Sequence, residues 1–273
     1  MIDDDALQTF NQNGFIPGPA EGEQAFLARV SELEHLPHIH DEPLTDADWK
    51  GARALTRRLF DFSVKWVPAF YSDRGLPFWQ GAAVWISTNS HPVIQLKKAF
   101  RKGSYLGFYP REEVLAHEAA HAARLGFNEP RFEEILAYST SKSPWRRWLG
   151  PLFRHSWESY FFVILLLLPL GVQVARLFYE NSALLECLFY VPWAFALAMI
   201  CRLSYHQRLL LRTLRHIAPL LKDPKQALAV SFRLTDQEIT TFSALAAEDI
   251  RAYLEQRDSL RLRVVRSYFM KEV

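Results

Sequence analysis

The sequence predicts an α+β chain, mostly helical: a soluble domain with a small sheet and a helix hairpin, a two-helix transmembrane hairpin, and a helical C-terminal region. Three observations carry this expectation. Between residues 81 and 109 lie short runs rich in β-branched and aromatic residues, separated by turn sequences. Residues 111–141 hold two helical patterns joined by a turn of about four residues. Residues 159–175 are free of charge over 17 positions, and residues 183–201 carry only Glu186 in 19. Each of these two runs reaches roughly 25–30 Å as a helix, about one hydrocarbon thickness.

Taken in order, residues 1–50 form an acidic helical region with eleven carboxylates against Arg29 and Lys50. Helical spacing runs from Ala25 to Leu36 and breaks at Pro37. His35, His38, His40 and Asp41 make a candidate metal cluster, but no periodic element fixes their geometry, and a polar turn between helices is the favoured reading. A domain over 51–141 comes next, beginning with a helix expected from Trp49 to about Tyr71 and ending near Gly75 and Pro77. Residues 81–88, 93–96 and 105–109 then read as a sheet of two or three strands. In the helix at 111–126, Pro110 suits the start, Glu112 and Glu113 complement the dipole, and Gly126 marks the stop. A second helix opens at Pro130 and runs to about Ser141.

The segment 142–208 holds a basic and aromatic belt and the membrane hairpin, with spans expected at about 159–178 and 183–201. Trp145, Arg146, Arg147, Trp148, Phe153, Arg154 and Trp157 form the belt just ahead of the first apolar run. Basic residues flank both outer ends of the hairpin, Lys142 to Arg154 before it and Arg202 to Arg215 after it, whereas the connection holds only Arg176 and Glu180. Positive-inside bias therefore places both termini in the cytoplasm, and a bacterial inner membrane is the expected setting. Pro169 and Pro192 are expected to kink their helices. Within 209–273, a basic helix continues out of the second span, and Thr235 with Glu238 has capping-box spacing for a helix to about Gln256. Residues 260–269 give no clear pattern.

Composition narrows the function classes. A net charge of +2 offers no reason to expect nucleic acid. The two cysteines, Cys187 and Cys201, both lie in the second apolar run, which leaves no disulfide framework or cysteine zinc site and fits a reducing compartment. The chain opens Met-Ile-Asp-Asp-Asp, without the pattern of a cleaved export signal.

The informative segment is His117-Glu-Ala-Ala-His121. Residues four apart share a helix face, so both imidazoles can reach one ion, with Glu118 beside them and not obliged to bind. Zn²⁺ held by two histidines and one further ligand keeps a position for water, whose pKa it lowers to about 7. Glu118 is then the natural general base for hydrolysis of a carbonyl compound. The third ligand follows from the hairpin. Positions equally far from an antiparallel turn lie side by side. His121 precedes Gly126 by five and Glu134 follows Glu129 by five, so Glu134 is the expected ligand. Glu133, about 100° round the helix, is second choice.

These residues resemble the gluzincin class of zinc metallopeptidases. Residues 111–121 resemble the motif helix of the membrane-bound family that includes the heat-shock protease and the CAAX-prenyl endopeptidase, and Glu134-Ile-Leu-Ala137 resembles its ligand helix. The spacing is shorter, closer to minimal gluzincins, and Tyr138 stands where that family has Asp. The likeness covers about 111–140. It implies a zincin-like domain, Zn²⁺ and proteolysis but says nothing of the substrate, for which a protein or peptide close to the membrane is the expectation. It also implies a substrate-binding strand edge at 81–88 or 105–109, and a transition-state donor, for which Tyr138, His155, Tyr205 and His206 are candidates. Site-2-type proteases keep this motif inside a span, whereas Arg111, Glu112, Glu113 and Arg124 set this helix in water beside the bilayer. Two other readings compete: a non-catalytic membrane protein using the zinc hairpin as a structural or partner-docking module, and a chance motif in a membrane adaptor.

Overall fold

A computed structural model describes residues 2–36, 42–78, 80–86, 91–179 and 183–270. The acidic N-terminal stretch folds as α1 (Asp4–Gln12) and α2 (Glu23–Glu34). After strand β1 (Glu42–Pro43), Thr45 and Asp48 cap each other's backbone in a capping box that starts α3 (Asp46–Phe60). The helix expected to reach Tyr71 stops eleven residues earlier. Asp61 takes a left-handed conformation (φ 56°) and its N–H bonds back to the Arg57 carbonyl, closing the last turn. Beyond it, Val67 precedes Pro68, a position that disfavours helix. The chain therefore runs extended, with Phe62 and Val64 in the core, and residues 69–71 become a strand.

That strand, β2 (Ala69–Tyr71), joins a four-stranded sheet with β3 (Ala82–Ile86) and β4 (Pro92–Leu96) in the order β1-β2-β4-β3. β2 pairs parallel to β4, and the other two pairings are antiparallel, with Val84 opposite Ile94. β3 is consequently an edge strand. Positions 87 and 88 of the expected first strand lie outside the described residues. The run at 105–109 does not join this sheet. It forms a small hairpin of β5 (Ser104–Tyr105) and β6 (Tyr109–Pro110), turned by Leu106 and Gly107, both at positive φ.

Helix α4 (Arg111–Ala123) follows at once, and α5 (Pro130–Ala137) returns beside it. Gly126 does not supply the left-handed stop: α4 gives way at Arg124, and the positive φ falls on Asn128. A Cβ on Gly18 would come within 2.5 Å of the Gly126 carbonyl oxygen, so this turn lies directly on the N-terminal segment. Glu113 and Arg124, read as water-facing charges, are 4% and 1% exposed. Arg146 and Ser141 bind the Glu113 carboxylate, and the Phe232 and Leu234 carbonyls accept from Arg124.

The belt contains α6 (Pro144–Leu149), and then α7 (Ser156–Leu165) and α8 (Leu168–Ala175) form the first long apolar helix, interrupted at Leu166–Leu167 ahead of Pro169. The second, α9 (Ala183–Ile217), runs 35 residues through Pro192 without a break in the helix. Both are long and apolar enough to cross a membrane. Only 11% and 6% of their most apolar windows are buried, which argues against a soluble core hairpin.

Beyond α9 come α10 (Ala227–Ser231), α11 (Asp236–Phe242), α12 (Ala247–Glu255) and α13 (Leu260–Ser267). The Thr235–Glu238 capping box is present, but the single helix expected to Gln256 is split at residues 243–246. The stretch without a clear pattern is helical, capped by Ser259. One apolar core draws on residues from Ile2 to Phe269. Buried Arg233 ties its parts together by donating to Asn11 Oδ1 and to the Phe60 and Ala229 carbonyls.

Candidate metal centre

The site is built on a small-residue face. Ala116, Ala119, Ala120 and Ala123 are buried, and their size lets α4 lie close against its neighbours, α3 first among them. The opposite face carries His117, Glu118 and His121, all half-buried. Phe132 and Leu136 anchor α5 in the core, so the other side of that helix turns Glu133 and Glu134 toward the two imidazoles.

The three expected ligands converge. His117 Nε2 and His121 Nε2 are 3.2 Å apart. Glu134 Oε1 is 3.5 Å from His121 Nε2, and its Oε2 is 3.7 Å from His117 Nε2. A tetrahedral zinc with bonds of about 2.0–2.2 Å needs ligand atoms about 3.3–3.6 Å apart, and these separations lie within about 0.1 Å of that range. Glu133, the second choice, does something else: its Oε1 lies 2.7 Å from His121 Nδ1. That contact holds the Nδ1 proton and leaves the Nε2 lone pair for a metal. A hydrogen bond with the Ala137 backbone supports His117. Among the described residues this is the group able to hold a metal. In the N-terminal candidate cluster, His35 is exposed and bound to the Ser31 carbonyl, while His38, His40 and Asp41 lie outside the described residues.

Electrostatics reinforce the arrangement. Burial, with the nearby His121 charge, holds His117 well below the usual histidine range. For His121 burial acts the same way, but the Glu133 hydrogen bond and the Glu134, Glu133 and Glu118 charges outweigh it and lift it to about 9. Burial pushes Glu118 up to about 7, with Glu134 adding to the rise and His121 opposing it.

Two clefts meet at these side chains. One, of about 230 Å³, runs between Gly81, Phe100, Tyr105, Tyr109 and Tyr138 and touches His117 and Glu118. The other, about 700 Å³, reaches His117, Glu118, His121, Glu133 and Glu134 alongside residues 82–84 and Ile86 of β3. The edge strand expected at 81–88 is therefore the one that borders the site, whereas Tyr105 and Tyr109 wall only the smaller cleft.

Of the candidate donors, Tyr138 stands edge-on to the His117 ring at 4.6 Å, its hydroxyl kept protonated by burial and the Glu134 charge. Its ring lies against Gly150, where a Cβ would come within 2.2 Å of it. Burial raises the Glu134 pKa, with Glu133 adding to the rise and His121 and then His155 opposing it. Tyr205 is exposed on α9, and His206 is bound to Arg154 and to the Arg202 carbonyl. Sequence reasoning missed the orienting role of Glu133 and the support from Asp236, whose carboxylate accepts the first free N–H groups of α5, from Arg131 and Phe132. No protein-family model, curated protein or solved structure matches the chain.

Proposed function

We propose that the chain is a membrane-anchored zinc endopeptidase whose active site faces the cytoplasm. The observation that carries this reading is the convergence of His117, His121 and Glu134 at tetrahedral spacing, with Glu118 beside them on the wall of both clefts. When bound, zinc would supply Lewis acidity, polarising a scissile carbonyl and lowering the pKa of water toward about 7.

The chain's own residues do the rest. Glu133, on Nδ1 of His121, keeps that imidazole in the tautomer whose Nε2 can bind, and the Ala137 backbone holds His117. Glu118, on the wall of both clefts, accepts a proton on its carboxylate and can return it to the leaving nitrogen. The unpaired edge of β3 can take an extended peptide as an added strand beside these groups. The exposed apolar helices are read as a hairpin in lipid, with both termini cytoplasmic because the cations flank its outer ends.

The test combines metal analysis with Glu118→Gln in the full chain. Wild type should hold one zinc and cleave quenched fluorescent peptides. The variant should keep the zinc and lose about 10²–10⁴-fold in rate. Purified protein without zinc would overturn the metal centre. Zinc retained with no cleavage in either form would leave a structural or partner-docking role instead.

A further inference from the structure

The apolar surface does not end with the two long helices. The tip of the β5–β6 hairpin exposes Leu106 and Phe108, and the adjoining loop exposes Phe78, at 59%, 58% and 76%. These positions are held together: the Phe108 and Tyr109 rings lie 4.5 Å apart, and the Tyr105 hydroxyl donates to the Phe78 carbonyl. The hairpin is also tied to the belt. The Arg146 guanidinium sits 5.3 Å over the Tyr109 ring, and its neighbours Trp145 and Trp148 are exposed on α6.

The height of this patch can be read from α9. The Trp148 carbonyl accepts from Gln207 Nε2 at 2.7 Å. Gln207 lies six residues past Cys201, the end of the apolar run, so α6 rides about 9 Å above the hydrocarbon edge. That is near the outer limit of the headgroup layer, within reach of tryptophan side chains. Lys98 and Lys102 are exposed beside the hairpin. Arg101 is exposed and paired with Glu42, Arg111 is paired with Asp48, and Lys97 is buried on the Leu76 carbonyl. Exposed apolar side chains that continue an aromatic and basic belt are what a bilayer surface accepts.

We propose that the tip Leu106-Gly107-Phe108, with Phe78, is a second membrane contact that seats the mouth of the smaller cleft on the lipid surface. The inference rests on the membrane reading of the α7–α9 hairpin. It gives the site a substrate class, polypeptide segments lying within a few residues of a bilayer, because the cleft walled by Tyr105 and Tyr109 then opens at headgroup level.

The test uses the full chain in nanodiscs of mixed zwitterionic and anionic phosphoglycerides. Cys187 and Cys201 are replaced by Ser, and an environment-sensitive dye is attached through Phe108→Cys, Leu197→Cys or Asp258→Cys in turn. Leu197 lies in the second span. Asp258 is near the C-terminal helices, where Phe269 pairs with Leu221, twenty residues beyond Cys201. At Phe108 the expected result is blue-shifted emission and loss of most intensity to lipids spin-labelled near the headgroup. At Leu197 the loss should come from lipids labelled deep in the chain, and at Asp258 there should be none. A water-like signal at Phe108 with a buried one at Leu197 overturns the second contact and leaves the hairpin standing. A water-like signal at Leu197 overturns both. Equal headgroup quenching at Phe108 and Asp258 also defeats the proposal, since the tip would then be no nearer to lipid than a distant surface.

Discussion

Glu133 and Glu134 are adjacent in sequence and differ in what they touch. Glu134 presents both oxygens to the two Nε2 atoms, and Glu133 grips the far nitrogen of His121. Removing an outer partner of a metal-binding histidine costs 10–100-fold in affinity, whereas removing a ligand opens the coordination shell. Glu133→Ala is therefore expected to weaken zinc by about 10–100-fold with one ion still bound, and Glu134→Ala to weaken it further. Competition against a chromophoric chelator measures both, and a larger loss for Glu133 would reverse the assignment. Counting outward from the turn placed Glu134 beside the two imidazoles, where the structure has it, although α4 gives way at Arg124 and not at Gly126. What Glu133 does depends on which ring nitrogen faces inward, and no spacing rule contains that. Charge was misleading at Arg124, whose guanidinium is buried against main-chain carbonyls and the Phe127 ring.

The ligand-bearing helix α5 has no cap of its own: Glu129 precedes it without a side-chain hydrogen bond to its first turn. Asp236, at the start of α11, caps it from across the fold, and Glu129 returns the favour by accepting from the Asp236 N–H at 2.6 Å. Loss of a helix cap costs about 1 kcal/mol. Asp236→Ala is expected to destabilise by about that amount and also to lower zinc affinity, since the freed turn carries Glu133 and, one step on, Glu134. Thermal unfolding and zinc titration read the two effects. A stability loss with unchanged affinity would mean that Phe132 and Leu136 hold α5 by packing alone. Strong local patterns made α4, α5, β3 and β4 readable in the sequence. β2 was not, because three residues pairing parallel with a strand more than twenty positions away leave no periodic trace. The partner of the α5 N-terminus was hidden for the same reason: one end of α11 was visible as a capping box, but its second task is long-range.

At the scale of the molecule, the two long apolar helices were the most legible feature, since their runs need only composition to be recognised. The single core joining α1, α3 and the C-terminal helices was the least, because it rests on buried polar ties such as Arg233 with Asn11 and the Arg261–Glu238 pair. Reporters placed after residues 141 and 225 are expected on the cytoplasmic side and one at Asn181 on the other. The same compartment for all three would remove the spanning hairpin. One consequence concerns α9. Its first 19 residues lie in the apolar run and its last 16 pack in the core, where Thr213 and His216 bind the carbonyls at Ile239 and Phe242. At about 53 Å the helix is a stiff lever with no joint at the lipid boundary. A thinner bilayer that tilts its lower arm must swing the upper arm too, and with it α11 and α5. His117, His121 and Glu134 would then sense lipid chain length, rising or sinking relative to the surface as the membrane thins or thickens.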